Sequence, residues 1–276
     1  TPLAPEDNPF AYKSVDELKA MLGDKSWVNE ELDSDLFKNP FGPIPDNLPD
    51  SHDTRDESRG AYLSDIRNQG KCGSCWAFAT TSQMSDQFGF ADSANPVLSP
   101  QHMTSCDRGS HGCNGGLRPG AFKYMASNGV PTDHCEPYHS GDDGDSRSCL
   151  SKCEDGSDPK LFFAKDPYIP TGVDAAKQAI VEQGSITGGF TVYEDFMSYS
   201  GGIYEHVSGR QLGGHAIKVI GWGVESGTEY WIIGNSWGSS WGEQGYFRMK
   251  FGECGINDRF ASAFSGTHDG KVHVSM

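Results

Sequence analysis

One stretch constrains this chain more than any other: Gln69-Gly70-Lys71-Cys72-Gly73-Ser74-Cys75-Trp76-Ala77-Phe78-Ala79. Two cysteines flank a small, flexible dipeptide, and the residues from Trp76 can continue as a helix, which places Cys75 at a helix N-terminus. There the unpaired N–H groups and the positive end of the helix dipole favour a thiolate over a thiol, as a nucleophilic cysteine requires. The plainer alternative is a buried or disulfide-bonded cysteine beside core aromatics. A nucleophile needs a base. Gly213-Gly214-His215-Ala216-Ile217 offers one at the head of an apolar run to Ile220, and Gly234-Asn235-Ser236-Trp237-Gly238 follows. His215 lies 140 residues after Cys75 and Asn235 lies 160 after it, so two distant halves of the chain must face each other if these groups act together.

The 276 residues suffice for one large domain or two lobes with a proper core. No apolar run reaches the roughly 18 residues of a membrane span, and residues 1 to 10 lack the basic and apolar regions of a signal peptide, so no membrane partner is expected. A net charge of −16 argues against nucleic acid and suits a soluble protein of an acidic vesicle. Eight cysteines in loop-like surroundings point to the secretory route rather than the cytosol. No Asn-x-Ser/Thr sequon is present, so N-glycans are not expected.

Residues 1 to 47 are proline-rich, acidic and free of cysteine, and read as an appendage. Within them Ser14 to Gly23 has helix grammar: Ser14 as N-cap, Glu17 at N3, an apolar face of Val15, Leu18, Met21 and Leu22, and Gly23 as the stop. The helix from Cys75 is expected to run to about Phe88 before Gly89 weakens it, and a second helix to span Ala121 to Ser127 before Asn128-Gly129. Cys135 to Gly156 reads as loop, acidic at Asp142, Asp143 and Asp145. From Tyr168 the pattern turns β-rich, over 185–193, 202–207, 215–221, 230–234 and 245–250, with one helix over 173–183. The tail from Gly266 to Met276 reads as a polar extension.

With Cys75 set aside, six of the other seven cysteines can pair in fifteen ways, and sequence alone does not choose among them. A zinc site from Cys149 and Cys153 with His134 or His139 competes, but its spacing is irregular. A thioredoxin-like role for Cys72 and Cys75 requires a preceding βαβ unit that is not there. Neither a metal nor a cofactor is therefore expected.

The segments 69–78, 213–216 and 235–238 together resemble the papain family of cysteine proteases. Cys113-Asn114-Gly115-Gly116, Cys254-Gly255-Ile256 and Thr191-Val192-Tyr193-Glu194-Asp195-Phe196 are most similar to its cathepsin B branch, so the resemblance covers most of the chain after about residue 48. It implies an α+β, papain-like two-lobe fold: a helical left lobe over about 70–165, a β-barrel-like right lobe over about 166–265, and the active-site cleft between them. It implies a monomeric cysteine-type endopeptidase acting on peptide and protein substrates, in lysosome-like acidic vesicles or secreted. The mature enzyme would be residues 48–276, released by cleavage near Asn47. Residues 1–47 would be a propeptide that crosses the cleft in the reverse direction to substrate, with Leu22 and Gly23 near Cys75. An N-terminal docking helix with no inhibitory role is the alternative.

The same resemblance assigns roles. Cys75 attacks the scissile carbonyl, His215 is its proton partner in a thiolate–imidazolium pair, Asn235 orients the ring, and Trp237 shields that contact. Gln69 and the Cys75 N–H receive the oxyanion, while Gly73, Gly116, Gly214 and Ala216 lie along the substrate. The implied disulfides are Cys72–Cys113, Cys106–Cys149 and Cys135–Cys153, leaving Cys254 unpaired. Two departures stand out. Cathepsin B carries a long insertion whose paired histidines grip a substrate's terminal carboxylate, whereas here only His139 to Ser148 lies between Cys135-Glu136-Pro137-Tyr138 and Cys149. Endopeptidase action with little dipeptidyl carboxypeptidase activity is the expectation. The position that is often acidic in cathepsin B, at the base of the pocket for the second residue before the cut, is Arg259. If it reaches that pocket, arginine should be disfavoured there and apolar or acidic residues tolerated; otherwise it is an ordinary solvated arginine. A peptide-binding pseudoenzyme and a disulfide-scaffold interaction protein are the rival readings, and both lose ground because Gln69, Cys75, His215 and Asn235 are all present.

Overall fold

The computed structural model describes residues 4–26, 36, 39–92, 96–268 and 271–272. Helix α1 (Val15–Ala20) starts where the capping box puts it, with Ser14 Oγ accepting from the Glu17 N–H at 3.3 Å and Glu17 Oε2 accepting from the Ser14 N–H at 2.8 Å. Its apolar face rests on the β-rich lobe. Leu18, Met21 and Leu22 join Phe10 in the core of the β-rich lobe, and Val15 packs at its edge. The helix ends at a Met21 C-cap, before the expected stop at Gly23. Gly23 lies beyond the helix, its N–H on the Cys75 sulfur and its carbonyl on the Gly116 N–H.

Helix α2 (Cys75–Asp92) is the spine of the helical lobe. It runs past Gly89, where the sequence predicts that it weakens: Phe88 is buried on one side, and the Phe90 ring packs against Gly184 and the Arg59 guanidinium. Those contacts outweigh the roughly 1 kcal/mol that glycine costs a helix. Near its middle the buried Asp86 accepts from the Ser64 N–H and the Ser185 hydroxyl, both at 2.7 Å, and pairs with Lys218 Nζ at 2.9 Å, which ties the helix to the sheet. Helices α3 (Pro100–Cys106) and α4 (Arg118–Asn128) pack beside it. Gly129, at φ 72°, closes α4 as Asn128-Gly129 suggests. The segment expected to be loop throughout carries one short helical turn, α5 (Ser140–Asp143), and α6 (Val173–Gln183) has the expected bounds.

The strands are β1 (His52–Asp53), β2 (Phe162–Tyr168), β3 (Ile186–Tyr193), β4 (Ile203–Tyr204), β5 (Gln211–Glu225), β6 (Thr228–Gly234), β7 (Tyr246–Lys250), β8 (Phe260–His268) and β9 (Lys271–Val272). Among the described residues they form one sheet, ordered β2-β8-β3-β5-β6-β7-β4, with β1 also on β5 and β9 on β8. Its pairings are antiparallel except β4 with β7. Two features depart from the sequence reading. β2 begins at Phe162, inside the stretch assigned to the helical half, because its partner β8 lies about a hundred residues later and Lys165-Asp166-Pro167 interrupts any alternation. The supposed polar tail is in part sheet, since β8 runs on to His268 and pairs with β9.

The architecture is α+β with two lobes and two cores. Trp231, Trp241, Phe190, Phe196 and Phe247 fill the β-rich one, while Trp76, Phe88, Phe122 and Met103 fill the helical one. Cys72–Cys113, Cys106–Cys149 and Cys135–Cys153 are the disulfides among the described residues, all in the helical half. Cys75 and Cys254 carry free thiols.

Candidate active site

The turn before α2 is held rigidly. Cys72 is bonded to Cys113, the Gly73 N–H donates to the Cys113 carbonyl at 2.9 Å, and the N–H groups of Ala77 and Phe78 donate to the Ser74 carbonyl. Cys75 is thus the first residue of the helix, its side chain fully buried. Opposite stands β5, which carries His215 in register with Phe190 of β3. Asn235 follows the last residue of β6, which pairs Gly234 with Lys218, so the hairpin returns it beside His215.

The Asn235 side chain defines the histidine tautomer. Its Oδ1 accepts from the Ser236 N–H at 2.8 Å, which identifies it as the oxygen, and sits 2.7 Å from His215 Nε2. Nε2 must therefore carry the proton, which leaves the Nδ1 lone pair as the basic site of the neutral ring. Nδ1 is buried and has no hydrogen-bond partner. Trp237 stacks on the ring with centroids 4.6 Å apart, and Trp241 meets Trp237 edge-on at 5.0 Å. These aromatics screen the His215–Asn235 bond from water.

The sulfur receives two backbone N–H groups, from Ala216 at 3.4 Å and from Gly23 at 3.3 Å. Ala216 adjoins His215 in the chain, so this bond brings the sulfur against the strand that carries the histidine, while His215 Nδ1 makes no hydrogen bond to it. Gln69 joins them again: its Oε1 accepts from Ser236 Oγ at 2.7 Å and its N–H donates to the Ser236 carbonyl at 2.9 Å. One Nε2 hydrogen is taken by the Cys72 carbonyl at 2.8 Å, which orients the amide, and the other is offered into the cleft, where the Met21 carbonyl takes it at 2.7 Å.

Burial dominates the electrostatics. It pushes the Cys75 thiol up to about 12, helped by the nearby Asp24 carboxylate and only partly opposed by the N–H donors of Ala216 and Gly23. It drives His215 down to about 4, against the opposing pull of Asn235 and Asp24. At neutral pH this closed state therefore holds a neutral thiol and a neutral imidazole, not the thiolate–imidazolium pair expected of a resting enzyme. The Gly23 N–H and the Met21 carbonyl lie against this side of the site.

Residues 21–26 cross the cleft, bound through their backbone to both sides. Gly116 N–H donates to the Gly23 carbonyl at 2.8 Å, Lys25 N–H to the Gly116 carbonyl at 2.9 Å, and Asp24 N–H to the Gly214 carbonyl at 3.1 Å. The bridge between Asp24 and Gly116 is parallel. Gly23 can lie there only without a side chain, since a Cβ would stand 1.7 Å from the Gly73 carbonyl oxygen. Leu22 packs against Gly213. Gly73 and Gly116 are equally tight, a Cβ on them falling 2.4 Å from the Cys113 carbonyl and from the Trp76 ring respectively.

Two residues that sequence reasoning missed meet here. Asp24 and Arg118, each 1% exposed, form an ion pair in which Nε and Nη2 both reach Oδ2 at 3.2 Å. Ser26 Oγ donates to the other carboxylate oxygen at 2.6 Å. The only local signals were an acid directly after Leu22-Gly23 and an arginine two residues beyond Gly116; nothing in the sequence shows that they touch. Arg259 is half-buried and donates to Thr191 Oγ1 at 3.2 Å. Burial lowers its pKa, and it lies within the fields of both Asp24 and Arg118.

The segment from Cys135 to Cys149 braces the same turn from outside. Tyr138 OH donates to the Gln69 carbonyl at 2.9 Å, and Lys71 N–H to the Gly141 carbonyl at 2.9 Å. His139 is turned to Glu154, 2.7 Å away and half-exposed. Cys149 and Cys153 are both disulfide-bonded, so the zinc alternative has no thiolates to use. The same holds for the cluster of His102, Cys106 and Glu136, whose sulfur is bonded to Cys149.

A cysteine at a helix N-terminus, a histidine on the facing sheet and an asparagine behind it is the arrangement of a cysteine peptidase. Residues 48–264 match the description "Papain family cysteine protease", and the chain belongs to that family. Its relatives within the family include cathepsin B-like proteases. It is 39% identical over 263 residues to "Cathepsin B-like CP3" of Giardia intestinalis, covering 92% of this chain and 86% of that one. It is 36% identical over 246 residues to "Cathepsin B-like cysteine proteinase 4" of Caenorhabditis elegans, covering 76% and 73%. Among solved structures, "proCathepsin B S9 from Trypanosoma congolense" superposes with a TM-score of 0.86 at 28% identity, covering 94% of this chain and 91% of that one.

Proposed function

We propose that the chain is the proform of an endopeptidase in which Cys75, His215, Asn235 and Gln69 perform the chemistry and residues 1–47 hold it off. Cys75 Sγ attacks a peptide carbonyl carbon while His215 Nδ1 takes the thiol proton, and the carbonyl oxygen gathers charge against Gln69 Nε2 and the Cys75 N–H. The C–N bond breaks as Nδ1 returns that proton to the departing amine, leaving a thioester. Water, deprotonated by Nδ1, then cleaves the thioester and restores the thiol. Asn235 Oδ1 keeps Nε2 protonated throughout, so that Nδ1 is the nitrogen that works.

The observation that carries this reading is what the leader does to each of these groups. A carbonyl, that of Met21, already sits on the Gln69 donor, while the sulfur faces the Gly23 N–H. The nucleophile is thus presented with a hydrogen-bond donor instead of an electrophilic carbon, and this explains how a peptide can lie in the cleft uncut. The parallel bridge to Gly116 agrees with a reversed direction of travel, and the likeness to a procathepsin extends over 94% of the chain.

The compact segment around α5, with no pair of histidines, supports an open primed side and endopeptidase action. Exposed Asp142, Asp143 and Asp145 there would repel a substrate's terminal carboxylate. Disulfides and strong acidity support a life on the secretory route, in acidic vesicles or outside the cell. We read the chain as a monomer. The test is to cleave the folded full chain near Asn47 and offer it an internally quenched peptide. Cleavage is expected, and Cys75→Ala should reduce it by at least a thousandfold; an alanine variant that still cuts at the normal rate refutes the assignment.

A further inference from the structure

One face of β3 builds a charged pocket beside the sulfur. Alternate residues of a strand share a face, so Thr187, Gly189 and Thr191 point the same way. Thr187 Oγ1 donates to the Ala261 carbonyl at 2.7 Å, which turns a lone pair toward Arg118 Nη1, 3.5 Å away. Thr191 Oγ1 receives Arg259 Nη1. Between them Gly189 leaves space: a Cβ there would stand 2.1 Å from Asp24 Oδ2 and 2.5 Å from Arg118 Nη2. The wall thus positions two guanidinium groups and leaves room between them for one carboxylate, which the leader supplies.

We propose that this cleft selects an acidic side chain, aspartate or glutamate, at the second residue before the cut, and that Arg118 and Arg259 are the residues that select it. The inference rests on the proteolytic reading above. Gly116 holds the backbone of residues 23 and 25, so the side chain between them drops into the pocket. A substrate that uses the same Gly116 groups places one side chain there, in the pocket at whose base the family resemblance puts position 259. An apolar side chain would take the carboxylate from Arg118 and leave it with the long contact to Thr187 Oγ1 and a second guanidinium, that of Arg259, nearby, and a buried cation without its anion is costly. A basic side chain would add repulsion. Asp24 is then a mimic of the preferred substrate residue, carried on a backbone that runs the wrong way.

Two experiments test this. In the first, the full chain, folded and then cleaved near Asn47, receives matched quenched peptides with Asp, Glu, Leu or Arg at the second residue before the cut. The acidic peptides should exceed Leu in kcat/KM by on the order of 10- to 100-fold, the worth of a hydrogen-bonded charge. Arg118→Met should lower that Asp-to-Leu ratio at least tenfold, with Arg259→Met acting in the same direction. Leu or Arg cut as fast as Asp, or a ratio untouched by Arg118→Met, overturns the proposal. The second experiment needs no cleavage and no change to the enzyme portion. In the uncut full chain at pH 7, Asp24→Asn should speed iodoacetamide labelling of Cys75 at least tenfold, and Asp24→Glu should speed it less. Labelling of Asp24→Asn at the native rate overturns the pocket. If no peptide of any sequence is cut but Asp24→Asn labels faster, the anion pocket stands and the proteolytic reading fails; Leu peptides cut best together with native-rate labelling is the reverse outcome.

Discussion

Removing the leader should change the chemistry of one sulfur by orders of magnitude. In the closed chain burial pushes the Cys75 thiol up to about 12, so at pH 7 about one molecule in 10⁵ is a thiolate. Once residues 1–47 are cut away, water and an imidazolium face the sulfur at a helix N-terminus, a setting in which thiols ionise at roughly 3.5 to 7.5. The thiolate fraction then rises by about five orders. A less basic thiolate is also a weaker nucleophile, with a Brønsted slope of about 0.4–0.5, so about two to four orders are returned. The net expectation is an alkylation rate about ten- to three-hundredfold higher. The assay is iodoacetamide labelling followed by peptide mapping, before and after cleavage near Asn47, so that Cys75 and the other free thiol, Cys254, are read separately. The pH dependence carries the sign: a thiol raised to about 12 gains thiolate tenfold per pH unit from pH 6 to 9 with no plateau, whereas the trimmed chain should level off near neutrality. An ordinary titration near pH 8 to 9 in the full chain, or a gain on trimming of less than tenfold, refutes the reasoning.

Gly23 should be the least replaceable leader residue. Because its Cβ would fall within 1.7 Å of the Gly73 carbonyl, Gly23→Val must lift the strand off the sulfur, and Cys75 labelling in the uncut chain should rise at least tenfold; an unchanged rate shows that the close approach does not hold the leader. On the primed side, an internal peptide blocked at its C-terminus should be cut at least as well by the trimmed chain as its free-carboxylate match, measured by product analysis. Efficient dipeptide release from the free form would show that residues 139–148 do grip a terminal carboxylate.

Some of this molecule was open to inspection in the chain itself. The capping box of Ser14 and Glu17, the start of a helix at Cys75, the span of α6 and the close of α4 at Gly129 depend on hydrogen bonds and sterics among residues a few positions apart, so residue types in order suffice. The motifs around Cys75, His215 and Asn235 were legible for another reason: in the proposed function their side chains carry the reaction, and chemistry restricts residue type more tightly than packing does. The remainder was settled by partners far away in the chain. α2 outruns Gly89 because the flanking phenylalanines find contacts, and β2 exists because β8 lies beside it. Asp24 meets Arg118 across 94 positions in a pocket that Gly189 leaves empty. The protonation of the site belongs here too, since a thiol and an imidazole take their ionisation from how much water the fold leaves them, and that depends on a leader strand no local pattern could place.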